Sequence, residues 1–433
     1  LVISEEFENF IDNIKVKNSS DISVSYKGVT KKLNQTFYES DSEDNNSLQV
    51  GSYGRKTAIH GISDLDMIFI LPKEIYVRFN GHDGNSQSAL LQEVRKTLKE
   101  KYPASDIKVD GQVVVFNHTE YRIEVLPVFK ENDGSYTFPD THNGGSWKTT
   151  KPVEEIEAIK SFDNETVGTL KELCRMVRSW KDYVGAPIGG LLIDTICFDF
   201  LNENSKYYNT QFDKFDELSK AFFEYLSATE QERVFWYAPG SNQKVEKKGD
   251  FVPKAKKALK NCNLAIENSG KELARNYWKK IYGRSFPVKV KEESNNKALS
   301  ESGYRNTEQF IEDLFSVNIS ENLIIDCTVS QDGFREMLLS KVRFLKNKFH
   351  LEFFIHSSTA KEPYDVYWKV RNIGPVAEKR DSIRGQIERD KGQKKRKETS
   401  NFDGDHFVEC FIIKNNVVIA RDIIDVNISE VEH

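Results

Sequence analysis

The spacing of apolar residues changes character several times along the chain, and each change marks an element or a boundary. Residues 5–15 and 22–39 carry apolar side chains at helical spacing, and the acidic, polar run Glu39 to Ser47 that follows reads as an exposed loop. Gly51 to Leu71 then reads as a glycine turn, a short helix and an extended apolar run. Residues 87–101 place Leu90, Leu91, Val94 and Leu98 on one helical face. Between 107 and 130, Ile107 to Val109, Val113 to Phe116 and Tyr121 to Phe129 alternate as three strands of an antiparallel meander. From 164 to 232 the pattern is mainly helical, and a second helical block covers 252–282. The stretch 288–308 is polar and aperiodic, which predicts an interdomain linker. Beyond it, Leu323 to Val329, Phe349 to His356, Tyr364 to Asn372, His406 to Ile413 and Val417 to Ile424 predict a strand-rich region, and the basic run Arg389 to Lys397 reads as a solvated loop.

Composition narrows the class. The 433 residues suffice for two or three domains, and the longest apolar run, Met67 to Leu71, is strand-sized and far short of the roughly 20 residues a bilayer span needs. The first residues run directly into a charged amphipathic stretch with no secretory apolar core, which predicts a cytoplasmic protein with no membrane association. Sixty-two Lys and Arg against 67 Asp and Glu give a net charge of −5, which argues against a surface built as a nucleic-acid footprint but leaves a local pocket for anions open. Cys174, Cys197, Cys262, Cys327 and Cys410 are widely spaced and mostly flanked by apolar residues, so they read as buried thiols of a reducing compartment.

The chemistry concentrates between Gly51 and Leu71. Strand side chains alternate, so Asp64 and Asp66 share one face while Leu65 and Met67 take the other. Paired carboxylates repel, and a hard divalent cation such as Mg²⁺, or Mn²⁺ in its place, is the usual counter-ion. Gly51 and Gly54 let the backbone approach a phosphate, and the Ser52 hydroxyl can contact the same group. A phosphate cradle before a same-face Asp-x-Asp is the layout of two-metal phosphoryl or nucleotidyl transfer. Glu124, between Ile123 and Val125 on a strand expected to pair with the Asp-x-Asp strand, offers the third carboxylate; alternatively it pairs with Arg122 on a solvated face. On the helix near 166–183, Leu170, Leu173, Cys174, Val177 and Trp180 form the apolar stripe, with Lys181 inside it and Arg178 at its edge. That placement suggests a triphosphate clamp; the alternative for Lys181 is a terminal lysine snorkelling past the core.

Gly51-Ser52-x-x-Arg55-x-Thr57-x-Ile59 followed by Ser63-Asp64-x-Asp66 resembles the active-site signature of polymerase-β-type nucleotidyltransferases. More narrowly, it is similar to the bacterial cGAS/DncV-like nucleotidyltransferases (CD-NTases) of CBASS anti-phage defence, as are the segments 136–148, 175–181 and 237–241. The final 125 residues, through Gln331 to Arg335, Trp368 to Gly374, Arg384 to Gln386 and His406 to Cys410, resemble the AGS-C sensor domain. The resemblance implies an α+β fold. A polymerase-β-like mixed sheet (about 40–160) and a helical lobe (about 161–287) would form a catalytic domain over 1–287, bridged by a long helix near the N-terminus. A smaller strand-rich domain would follow over 309–433. It implies Mg²⁺-dependent synthesis of a cyclic oligonucleotide second messenger from nucleoside triphosphates, ATP among them. Asp64, Asp66 and Glu124 would hold metal, Gly51 and Ser52 the donor triphosphate, and the product would act on a downstream effector. Glu124 departs from the aspartate commoner in the superfamily. For the C-terminal domain, Trp368, Arg371, Arg384 and His406 suggest an aromatic and cationic pocket for a regulatory ligand or partner, against the alternative that Trp368 is core. The rival functions are transfer of a single nucleotide to a protein or RNA acceptor and non-catalytic nucleotide binding.

Overall fold

A computed structural model describes the chain except residues 1, 18, 62–63, 82–83, 118–120, 288–307, 332, 334, 343–344, 346, 374, 402 and 429–433. The predicted linker therefore lies outside the described residues save for Glu308, as do Ser63 of the aspartate motif and Gly374. Two compact units divide the chain: one holds 1–179 and 188–286, the other 180–187 and 287–433.

The first unit opens with α1 (Val2–Ile14) and the long α2 (Ser19–Tyr38). Next come β1 (Ser47–Gln49), the one-turn α3 (Gly51–Gly54) and β2 (Asp64–Ile70). Helices α4 (Lys73–Asn80) and α5 (Ser86–Lys101) precede β3 (Asp106–Asp110), β4 (Val113–Asn117), β5 (Arg122–Lys130), β6 (Tyr136–Asp140) and β7 (Ser146–Thr150). The acidic run after α2 is a loop anchored from inside: the Asn34 amide donates to the carbonyls of Ser42 and Asn45. Helix α5 starts where Asn85 accepts from the Ser88 amide, and it buries Leu90, Leu91, Val94 and Leu98.

The sheet runs β1-β2-β5-β4-β3, with β6 on β5 and β7 on β6. β3, β4 and β5 form the expected antiparallel meander, whereas β2 and β5 run parallel, so the sheet is mixed. Parallel pairing needs a crossover, and α4, α5 and the β3–β4 hairpin supply it. One face packs Leu65, Met67, Phe69, Ile123 and Val125 against Val29 and Leu33 of α2 and the apolar side of α5. The other buries Ile68, Val128, Tyr136 and Phe138. Central β2 is thus apolar on both faces at one end, and its even positions become acidic only at the other.

The helical part comprises α6 (Pro152–Glu165), α7 (Thr169–Val184), α8 (Gly190–Glu203) and α9 (Phe215–Ser227), the short hairpin β8 (Phe235–Tyr237) and β9 (Lys244–Glu246), α10 (Val252–Glu267) and α11 (Glu272–Tyr282). Phe7 of α1 packs edge-on against Phe215, Trp278 and Phe286, which ties the N-terminal helix into this core.

The second unit has two sheets. One follows the order β10 (Ser316–Val317), β18 (Val417–Ile428), β17 (Gly404–Lys414), β14 (Asp365–Asn372), β15 (Arg384–Arg389). The other is β12 (Met337–Leu338), β11 (Leu323–Ser330), β13 (His350–Ser358), β16 (Lys395–Thr399), and α12 (Pro375–Lys379) follows β14. Leu323, Cys327, Phe353, Trp368, Cys410 and Ala420 share the core of this unit. The basic run expected as a loop is instead the β15–β16 turn and the edge strand β16. Lys395 and Lys397 reach Glu352 at 2.6 and 3.4 Å, and Arg396 reaches Glu388 and Glu398 at 2.5 and 2.8 Å. Charge on an exposed edge discourages pairing with another chain, so a strand can read as a solvated loop. All five cysteines are free and buried, and no described helix is long and apolar enough to cross a membrane.

Candidate active site

Strand register brings the acidic residues together. β2 and β5 pair in parallel with Asp64 opposite Arg122 and Asp66 opposite Glu124, so four charged side chains share one face of two neighbouring strands. Ile123 and Val125 are fully buried on the other face. The Arg122 guanidinium lies among the carboxylates. Its Nε donates to Asp64 Oδ1 at 2.5 Å and Nη2 donates to Asp64 Oδ2 at 3.1 Å, while Nη2 also lies 2.8 Å from Glu124 Oε1 in an ion pair. The two expectations for Glu124 therefore coexist: it stands beside Asp66, and it pairs with Arg122.

Crowding shifts these groups. Burial and then the neighbouring Asp64 charge push the Asp66 carboxyl up to about 7, with Arg55 and Arg122 opposing. Burial, then Asp64, likewise raises Glu124, against the pull of Arg122. Carboxylates that resist ionising side by side gain most from a cation.

The glycine-serine turn lies against the same carboxylates. Val50 donates to the Asp66 carbonyl at 2.9 Å, and Gly51 follows with φ of +60°. A Cβ on Gly51 would sit 1.8 Å from Asp66 Oδ2, and one on Gly54 would sit 2.5 Å from the Gln49 carbonyl. Both glycines are required: the first by conformation and by the approach of Asp66, the second by the return of the backbone onto β1. Ser52 is partly exposed beside them. Three hard-oxygen carboxylates beside a turn that admits no side chain fit a divalent cation and a phosphate in donor chemistry. Among the described residues, no three carboxylate, imidazole or thiol groups converge tightly enough to grip an ion as the side chains stand. Arg122 lies between Asp64 and Glu124.

The residues after the turn are locked from beneath. Asp194 of α8 is fully buried; its Oδ2 accepts from Arg55 Nε at 2.7 Å, Thr57 Oγ1 at 3.1 Å and Arg178 Nη2 at 2.9 Å, and its Oδ1 accepts from Arg178 Nη1 at 2.6 Å. Glu155 lies 3.5 Å from Arg55 Nη1. Burial alone would raise the Asp194 carboxyl, but Arg178 and Arg55 prevail and hold it down at about 2. The expectation that Arg178 clamps phosphate is corrected here, because its guanidinium is buried and engaged by Asp194 and the Gly190 carbonyl. Lys181, in the last turns of α7, lies 3.6 Å from Asp182 with its side chain mostly buried. Sequence reading missed Asp194, although one acid inside Leu191-Leu192-Ile193-Asp194-Thr195-Ile196 is a visible signal: an unpaired charge would not be tolerated there.

Of the four residues expected to form a pocket in the second unit, Arg371 and Arg384 meet on neighbouring strands, where Arg371 Nη1 donates to the Arg384 carbonyl at 3.1 Å, while Trp368 lies on the core side. Trp368 joins Val366 and Val370 in the core and donates from Nε1 to Asp390 at 3.2 Å. Arg371, three positions along β14, takes the opposite face, with Glu308 at 3.3 Å. Arg384 pairs with Glu398 at 2.6 Å, and buried His406 meets Asn372 at 3.0 Å. Alternation thus separates Trp368 from Arg371, and each of the two arginines has an acidic partner.

Comparison with known proteins adds to this geometry. Residues 1–162 match the family model described as Second Messenger Oligonucleotide or Dinucleotide Synthetase domain. Residues 305–429 match the Adenylyl/Guanylyl and SMODS C-terminal sensor domain. A cyclic AMP-AMP-AMP synthase from an Acinetobacter species is 20% identical over 268 residues, 57% of this chain and 74% of the relative. The CdnC of E. coli MS115-1 with ATP superposes with a TM-score of 0.52 at 17% identity, covering 66% of this chain and 98% of its own. The same protein in its HORMA-deltaN complex gives 0.52 at 16% identity with the same coverage. These superpositions show a shared fold.

Proposed function

We propose that this chain, which joins a second messenger oligonucleotide or dinucleotide synthetase domain to a C-terminal sensor domain, condenses nucleoside triphosphates into a cyclic oligonucleotide signal in anti-phage defence. The observation that carries the reading is the register of β2 and β5, which sets Asp64, Asp66 and Glu124 on one face beside the Gly51-Ser52 turn.

Asp64, Asp66 and Glu124 would hold Mg²⁺, or Mn²⁺ in its place, in a two-metal arrangement. Bound there, the ions supply charge neutralisation for the triphosphate and acidify the acceptor ribose hydroxyl. The protein's own part is positioning. The Gly51 backbone and the Ser52 hydroxyl would receive the donor triphosphate, and the buried Asp194 network fixes the segment that follows the turn. A second nucleotidyl transfer at the same site, onto the linear intermediate, would close the ring and release another pyrophosphate. ATP is a natural substrate candidate, given the cyclic AMP-AMP-AMP synthase relative and the ATP-bound CdnC. The second unit would receive the activating signal, from a ligand or from a protein partner, and the product would act on a downstream effector in the same cell.

The test is incubation of the purified chain with radiolabelled ATP, GTP, CTP and UTP and Mg²⁺, followed by phosphatase. Phosphatase-resistant small-molecule label is expected from the wild type and none from the Asp64→Ala/Asp66→Ala double variant. Undiminished product from that variant, or label found only on macromolecules, would overturn the reading.

A further inference from the structure

One charged group on the acidic face has no part in the scheme above. β5 places Arg122 two residues before Glu124, and the parallel register sets it directly opposite Asp64. Its planar fork contacts both oxygens of Asp64 and one oxygen of Glu124, at 2.5, 3.1 and 2.8 Å. A guanidinium is the side chain suited to bridging two carboxylates at fixed geometry, because its donors diverge in one plane; an ammonium is a point charge and cannot span them in the same way. All three side chains are only partly exposed: 25% for Arg122, 17% for Asp64 and 22% for Glu124. The pairing therefore sits where screening is incomplete, unlike an ordinary surface ion pair.

Two consequences follow from this placement. Arg122 engages both oxygens of Asp64 and one of Glu124, so a cation held by these two acids competes with the arginine for them. The neighbouring positive charge also lowers the field that the three carboxylates present to a second cation. Asp66 stands opposite Glu124 and against Gly51 on the same face.

We propose that Arg122 is a positioning residue of the catalytic site: a resident counter-ion that bridges Asp64 and Glu124 at rest, holds their side chains on the site face, and sets the metal concentration at which the site loads. This rests on the reading of Asp64, Asp66 and Glu124 as the metal-holding set. An enzyme whose idle site is neutralised from within keeps its fold and its acidic cluster without a bound ion, and it loads only against that internal competitor.

The experiment titrates Mn²⁺ alone into the full chain and follows loss of the free-ion electron paramagnetic resonance signal, a readout independent of turnover. Wild type, Arg122→Gln, Arg122→Lys and Asp66→Asn are compared at low ionic strength, with circular dichroism and thermal melting as folding controls. Arg122→Gln should bind Mn²⁺ about tenfold more tightly than wild type, a change suited to removal of one neighbouring unit charge. Arg122→Lys should fall between them, and it carries the comparison if the glutamine variant does not fold. Asp66→Asn should bind more weakly than wild type. If Asp66→Asn is weaker but both Arg122 variants bind as wild type does or more weakly, the inference is wrong and the metal reading stands. If Asp66→Asn binds Mn²⁺ as tightly as wild type, the metal reading fails and the inference falls with it.

Discussion

Replacing Asp194 with alanine removes the one acceptor on which two buried guanidiniums converge. Asp194 is 0% exposed, Arg178 4% and Arg55 6%, so neither arginine can turn to solvent when its partner is lost. Four hydrogen bonds between 2.6 and 3.1 Å disappear, three of them donated by guanidiniums. Arg55 keeps Glu155 at 3.5 Å, and Arg178 keeps the carbonyls of Cys174 and Gly190 at 3.3 and 3.0 Å. Those contacts leave a net positive charge buried. Breaking a buried ion pair by removing one partner costs roughly 3–5 kcal/mol, a large share of the ~5–15 kcal/mol by which a folded protein is stable. Urea unfolding of Asp194→Ala should therefore show a much lower midpoint for the transition of the first unit, with an unchanged slope. The same network sets the pH response. Because Asp194 is held near 2, below the ordinary value of 3.8, its contribution is complete above the usual carboxylate range and fades as pH falls toward 2. A loss below about 1 kcal/mol, against the range expected for a broken buried pair, would show that the guanidiniums are satisfied elsewhere and that the network does not hold the turn.

Two further outcomes are expected. Gly51→Ala places a methyl 1.8 Å from Asp66 Oδ2 at a backbone φ of +60°, so product formation should fall by about 100-fold or more. The strain of a left-handed alanine adds only about 1 kcal/mol of destabilisation, and near-wild-type turnover would remove Gly51 from the site. In EDTA, the Asp66 carboxyl sits at about 7 instead of 3.8. The folded state then binds the extra proton between those values, and stability declines as pH rises through that window, by at most about 1.4 kcal/mol per pH unit. Melting temperatures of wild type and Asp66→Asn from pH 4 to 8 check this: the wild type should lose relative stability with rising pH, and parallel curves would contradict the shift.

Several features followed from the sequence by local rules alone. Period-two alternation requires Asp64 and Asp66 to share a face, and it equally requires Trp368 and Arg371 to take opposite faces. The helical stripe Leu170, Leu173, Cys174, Val177 and Trp180 is buried throughout, as 3.6-residue spacing demands. The strands of the β3–β4–β5 meander and, of the C-terminal strands, β11, β13, β14, β17 and β18 also lie where alternation and turn residues put them. What local rules could not supply was partnership across the chain. That β2 runs parallel to β5 in the register pairing Asp66 with Glu124 is fixed only when α4, α5 and the β3–β4 hairpin pack as a crossover. The partner of Arg178 lies 16 residues away in sequence, and that of Arg55 139 residues away. Burial decided both: a cation inside a helical core is stable only against an acid brought there by the fold, so the stripe-edge arginine that reads as free for phosphate is committed to Asp194. Local geometry is set within a few residues by sterics and periodicity, whereas the choice of neighbour for a charge is set by which segments exclude water together.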